Sequence, residues 1–334
     1  MTLPFLPADG DPVPPALRGF ARAHEALVEL VEKPAHLVAR DRDPRRRVGL
    51  VSGGGSGHEP LHAGFLGRGM LDAVAPGKVF ASPHNRQVLE ASRRAAGPDG
   101  VLHVVKNYTG DRINFGIAAE RLRLDGIEVR RVLVDDDLAT ESDETATGRR
   151  GTGATVVVEK LLGGAADTGL GLEELAALGA EVAGASRSLA VASRAQTSLH
   201  TGEPSFALGA DELEYGVGIH GERAQKSIVR PPTEELVERM LDELVAGLPA
   251  GPSEVLAVVN GLGGTTLLEL YGLHDLVVSG LAGRGLEVSR ALVGTFVPAL
   301  DMTGFSLTLT RLRPSWTAYW DAPAATPALT VGGN

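Results

Sequence analysis

Three short apolar runs, at residues 48–52, 101–106 and 129–134, each end in a polar or glycine-rich loop, and helix-patterned stretches separate them. Strand-like runs alternating with helical ones point to an α/β domain on a mostly parallel sheet. In such sheets ligands bind beyond the carboxyl ends of the strands. Two loops stand at those ends: GGGSGHEP, residues 53–60, and NYTGD, residues 107–111. The third run closes on Asp135, Asp136 and Asp137.

The flanking pattern extends this reading. Leu17, Phe20, Ala21, His24, Leu27, Leu30 and Val31 recur at helical spacing. Residues 1–15 carry five prolines and read as an irregular arm. From 151 to 182 the pattern is helical, broken at GGAADTGLG, and a new strand follows at 189–193. A helix is expected over 233–248 with Thr233 as N-cap, then strands at 255–260 and 307–312. The expected architecture is two α/β domains, 1–185 and 186–334, each on a mixed or mostly parallel sheet flanked by helices.

Composition narrows the function. The 334 residues carry a formal charge of −10, which argues against nucleic acid, since phosphate neutralisation needs clustered Lys and Arg. The run Arg45-Arg46-Arg47 reads as a solvated turn before a strand. There is no cysteine, so disulfides, thiolate catalysis and cysteine zinc sites are out. The N-terminus lacks a secretory pattern and no apolar run could span a membrane, so a cytoplasmic location is expected.

The glycine loop lacks the Walker lysine, because His58 follows its last glycine, and it lacks the third glycine of a dinucleotide fingerprint. Its backbone N–H groups can still approach a small oxygen-rich ligand. On the residues alone His58 is either a site histidine or a loop histidine. Lys106 is either a solvated strand end or a ligand donor. Asp111 is either a helix N-cap or a site carboxylate. In YGVGIHGE, residues 215–222, His220 sits among glycines, as a turn residue or as an exposed nucleophilic imidazole. No metal-ligand spacing is present, so no metal site is expected.

Together these segments resemble the dihydroxyacetone kinase K subunit, over nearly the whole chain. The resemblance is carried by SGGGSGHEP (52–60), VFASP (79–83), VKNYTGDRINF (105–115), VDDDLA (134–139) and GRRGTGATVVVEKLLGGAA (148–166). It continues through VGIHGE (217–222), VNGLGGTTLLELYG (259–272) and LDMTGFSLTL (300–309). It implies that Gly55, Ser56 and Gly57 pack against a small ketose and that His58 faces a hydroxyl as general base. Lys106 and Asp111 would bond substrate hydroxyls, with Asp111 sharing or orienting the base, and Ser82 would be a neighbouring pocket residue. His220 would bind the ketone carbon as a hemiaminal.

The implied activity is phosphorylation of dihydroxyacetone to dihydroxyacetone phosphate. About twenty residues follow Leu312, so no nucleotide domain is expected here. A separate L-type subunit would carry ATP, or ADP recharged by a phosphotransferase protein, with Mg²⁺. A homodimer is also implied. The alternatives are a kinase subunit for erythrulose or a branched ketose, and a ligand-sensing coactivator. The chain departs from the family at Arg223-Ala224-Gln225, where Pro-Gly is common, and in Ser198-Leu199-His200-Thr201-Gly202, which lacks a proline frequent there.

Overall fold

The computed structural model describes residues 5–6, 10–140, 148–199, 201–223 and 226–332. His200, Ala224 and Gln225, three of the departing positions, lie outside the described residues. The chain forms two units, each an α/β layer structure: one holds 6–134, 155–183 and 314–334, the other 135–154 and 184–313. Where the linear reading cuts once after 185, the units interleave. The strand ending at Val134 hands its acidic trio to the second unit, and the helix after Ala154 returns the chain to the first.

The first unit contains α1 (Val13–Ala23), β1 (Val28–Glu32), β2 (Ala35–Ala39), β3 (Gly49–Ser56), β4 (Ala73–Val79), α2 (Asn85–Ala95), β5 (Val101–Lys106), α3 (Thr109–Leu124), β6 (Val129–Val134), α4 (Ala154–Ala166) and α5 (Leu172–Gly184). Its sheet runs β1-β2-β4-β3-β5-β6. The four strands β4, β3, β5 and β6 are parallel, and the β1–β2 hairpin adds antiparallel at the edge. Every residue of β3 and β5 is buried, the signature of central parallel strands covered on both faces. Val51, Ala73, Val101 and Val105 form one core with Val88, Ala91, Phe115 and Leu122 of the covering helices.

Two expectations fail here. The helical spacing from Leu17 does not continue to Val31: α1 ends at Ala23, and 28–32 is an edge strand. Proline at N1/N2 starts α1 inside the supposed arm. Nor is the arginine run wholly solvated. Arg45 and Arg47 are exposed, but Arg46 is buried and bonds Asp72 at 2.9 Å and Asp167 at 2.7 Å. It also donates to the carbonyls of Met70 and Gly163. A guanidinium so saturated is what makes its burial tolerable.

The second unit contains β7 (Ser186–Arg194), β8 (Glu212–Tyr215), β9 (Lys226–Val229), α6 (Thr233–Gly247), β10 (Glu254–Gly261), α7 (Leu267–Gly283), β11 (Glu287–Gly294) and β12 (Thr303–Arg311). Its sheet, β11-β10-β12-β7-β8-β9, is mixed: only β10–β11 is parallel. Thr233 is the first helical residue of α6, with Pro232 at the N-cap, so the expected threonine cap is not formed. Strand alternation sorts the faces. Leu189, Leu307 and Leu309 join Val237, Met240 and Leu241 of α6 in the core. The intervening positions form hydroxyl pairs, Ser186–Thr310 at 2.8 Å and Ser188–Thr308 at 2.6 Å, which satisfy their buried oxygens.

His103 on β5 gives the first unit a pH response. Ser92 donates its hydroxyl proton to Val88 O, so His103 Nε2–H donates to Ser92 Oγ at 2.9 Å. Nδ1 is then a buried lone pair without a partner. Burial, with Arg123 and Arg131 adding, lowers this histidine to about 3. The unfolded chain therefore binds the extra proton below about pH 6.5, and the native state does not until about pH 3. Stability present above pH 6.5 should fall by about 1.4 kcal/mol per pH unit on acidification, or about 2–3 kcal/mol by pH 4.5. Denaturant melts of wild type and His103→Gln across pH 4.5–7.5 test this. The variant should lose one proton's worth of slope, and equal slopes would refute it.

Candidate functional site

In the first unit the site residues gather at the C-terminal ends of β3, β4 and β5. Lys106, the last residue of β5, is fully buried rather than solvated. Its Nζ lies 2.8 Å from His62 Nε2. His62 Nδ1 lies 2.6 Å from Glu159 Oε1 and 2.9 Å from Ser52 Oγ, and Ser52 gives its own proton to Val104 O. The proton positions follow: Nδ1–H points to Glu159 and Ser52, and Nε2 accepts from Lys106. Gly54 makes this possible, since a Cβ there would stand 2.2 Å from Lys106 Nζ.

Electrostatics suit proton traffic. Burial pushes Glu159 up to about 8, with nearby Ser52 and the charge of Lys106 acting against it. Burial lowers Lys106, against Asp111 and Glu159. Burial, then Lys106 and His58, hold His62 well below the ordinary histidine value, so its imidazole is neutral. Among the described residues His62 is the one hydrogen-bond partner of Lys106 Nζ, which leaves two ammonium N–H groups for a ligand.

Asp111 lies in the first turn of α3, two residues inside Thr109, while Tyr108 is the N-cap. It is therefore not the capping residue that its position suggests. It is buried, and its Oδ1 has no hydrogen-bond partner. Ser82 stands opposite the same turn, its Oγ 2.5 Å from where a Cβ on Gly110 would lie. His58 is fully buried beside Phe80, ring centroids 5.1 Å apart. Phe80 has φ 54°, a left-handed conformation that costs roughly 1–3 kcal/mol in a non-glycine residue and concentrates at working sites. Gly55, Ser56 and Gly57 are buried, and Ser56 Oγ donates to Gly77 O at 2.8 Å, a bond that shapes the loop. An ammonium donor and a carboxylate acceptor, both short of partners, match a ligand whose hydroxyls donate and accept.

The second unit carries His220, in the loop between β8 and β9. Its Nδ1 lies 2.9 Å from Glu222 Oε1, and its backbone N–H donates to Glu222 Oε2 at 2.9 Å. Burial alone would raise Glu222, but the His220 hydrogen bond and charge, then Arg150, bring it down to about 2. An ionised Glu222 can only accept, so Nδ1 carries a proton, and in the neutral ring the lone pair falls on Nε2. Gly218 admits the pair: a Cβ there would stand 2.0 Å from Glu222 Oε2 and 2.4 Å from Arg150 Nη1. Arg150 is anchored by Asp137 through Nε at 2.7 Å and by Gly216 O at 3.0 Å. Asp136 takes another role, accepting from Thr152 N, Thr152 Oγ1 and Ala154 N at the start of α4. Arg223, a departure from the family pattern, bonds buried Glu214 at 3.1 Å and Ser227 Oγ at 3.0 Å.

His58, Ser82, Lys106 and Asp111 thus belong to one unit and His220 to the other. Sequence reasoning missed His62, Glu159, Glu222 and Arg150. Among the described residues no group of three or more His, Asp or Glu could hold a metal ion.

The Dak1 domain family matches residues 18–328. The dihydroxyacetone-binding subunit of the PEP-dependent dihydroxyacetone kinase of Escherichia coli is 38% identical, over 95% of this chain and 96% of its own. Among solved structures, a dihydroxyacetone kinase operon co-activator superposes with a TM-score of 0.91 at 31% identity, covering 97% of this chain and 100% of its own. The dihydroxyacetone kinase of C. freundii, in complex with AMP-PNP and Mg²⁺, superposes at 0.85 and 33% identity, over 96% of this chain and 59% of its own.

Proposed function

The chain belongs to the Dak1 domain family, and on that premise we propose that it is the dihydroxyacetone-binding subunit of a dihydroxyacetone kinase. The observation that carries the reading is the contact of His220 Nδ1 with Glu222 Oε1. With Nδ1–H held by Glu222, the Nε2 lone pair adds to the ketone carbon. A C–N bond forms, the carbonyl π pair moves to oxygen, and that oxygen takes a proton from water, the hydroxide passing to bulk solvent. Glu222 balances the positive charge left on the imidazole. Glycerol has no carbonyl and escapes capture.

In this proposal Lys106 and Asp111 bond the hydroxyls of the captured ketose, and Gly55, Ser56, Gly57 and Ser82 shape its surroundings. His58 takes the proton of the terminal hydroxyl as that oxygen attacks phosphorus. A separate L-type subunit supplies the phosphoryl group, from ATP or from ADP recharged by a phosphotransferase protein, with Mg²⁺. The working form is a homodimer. Among the described residues no helix is long and apolar enough to cross a membrane.

A second reading, the sensing coactivator, is favoured by the co-activator's TM-score of 0.91. Both readings need ketone capture, and only one needs turnover. Intact-mass measurement with dihydroxyacetone, erythrulose and glycerol comes first, followed by a coupled assay with added L-type subunit. A ketose adduct with turnover supports the kinase. An adduct without turnover supports the coactivator, and absence of any adduct overturns both.

A further inference from the structure

The β1–β2 hairpin, α2 and α3 enclose a cleft of about 440 Å³ in the first unit. Its charged lining is Lys33, Arg86, Glu90, Arg94 and Arg121, with His36 among them. In a chain of net charge −10 this gathering of cations is conspicuous. Two of the charges are already matched: Glu90 bonds Arg93 at 2.6 Å, and Arg94 bonds Glu29 at 3.1 Å. Lys33, Arg86 and Arg121 have no carboxylate partner among the described residues. Three like charges facing one recess repel, unless an anion occupies it.

The second observation is His36. It is 2% exposed, and its Nδ1–H donates to Pro34 O at 2.7 Å. Its Nε2 is buried without a hydrogen-bond partner. Buried polar nitrogens are normally satisfied, so this one marks a position where a ligand atom completes the bonding. None of these residues belongs to the proposed ketose chemistry.

We infer that this cleft is a second ligand site, for a phosphate dianion, free or as the head of a phosphate monoester. Guanidinium groups match phosphate oxygens two at a time, and Lys33 adds a point charge. A recess with His36 buried in its lining suits a small anion better than the flat acidic face of a protein. Burial holds His36 below the ordinary histidine value, and Arg94 adds to this against Glu90 and Glu29. Arg86, Arg121 and Lys33 face the same recess and also favour the neutral ring while it is empty. A bound dianion reverses the balance: Nε2 takes a proton and donates it to a phosphate oxygen. Binding should therefore consume a proton.

Calorimetric titration of the full chain near pH 8, where phosphate is mostly the dianion, in two buffers of different ionisation heat, tests this with inorganic phosphate and separately with glycerol 3-phosphate. Saturable binding with proton uptake is expected. Tighter binding of the ester would identify a monoester as the ligand, and equal binding would identify free phosphate. The double variant Arg86→Glu, Arg121→Glu changes exposed side chains and should weaken binding at least about tenfold. His36→Gln should abolish the buffer dependence. No saturable heat at millimolar phosphate, or binding unmoved by the charge reversals, would overturn the inference. So would an acidic peptide that binds as tightly as phosphate, since it would make the cleft a protein-docking face.

Discussion

His220→Ala should abolish the mass increment that dihydroxyacetone adds to the intact protein. The expectation rests on atoms: alanine has no lone pair to place on the ketone carbon. The variant should still fold, because the His220 side chain is bonded to Glu222 in a loop rather than packed in a core. Glu222 remains held by its contact with the His220 backbone N–H. With the anchor gone, the hydroxyl contacts remain, so the ketose binds reversibly and more weakly. Discrimination against glycerol should suffer more than turnover of a saturating ketose. Glu222→Gln offers a finer control. A neutral amide cannot balance the charge on the alkylated imidazole, so the adduct should persist at reduced occupancy. An undiminished adduct in His220→Ala would move the capture to another residue and end this mechanism.

The positions of the main strands were readable because parallel strands leave short valine- and leucine-rich runs, buried throughout in 101–106 and only in part in 129–134. The edge hairpin was not. Leu27, Leu30 and Val31 fit a helical period by coincidence, and an edge strand that is half exposed carries no pattern strong enough to overrule it. The loops at the strand ends were equally plain, and with them His58, Lys106, Asp111 and His220 as candidates. What the sequence hid was pairing across distance. His62 lies four residues beyond His58, but its partner Glu159 is 97 residues further along. A signal did exist: Glu159 and Lys160 interrupt the apolar run of α4, and both are fully buried. Glu159 holds His62, whereas Lys160 bonds the carbonyls of Tyr319 and Ala322. Periodicity alone could not say which of the two faced the site. Arg46 failed similarly, since a run of three arginines gives no hint that the middle one turns inward to Asp72 and Asp167.

His58→Ala should leave the adduct in place and slow phosphoryl transfer. The two histidines differ in what surrounds them. His220 has a carboxylate that fixes its tautomer and leaves a nucleophilic nitrogen. His58 is fully buried against Phe80, at the end of the glycine loop. Loss of a positioned base costs about 10²–10⁴ in rate, so kcat with saturating ketose and L-type subunit should fall by that much. The mass of the adduct should not change. Asp111→Asn, compared under the same conditions, separates the two candidate bases, because an amide keeps the shape of the carboxylate and loses its basicity. A larger loss in Asp111→Asn than in His58→Ala would make the carboxylate the principal base. Loss of the adduct itself in His58→Ala would show that this histidine takes part in capture, and the division of labour argued here would fall.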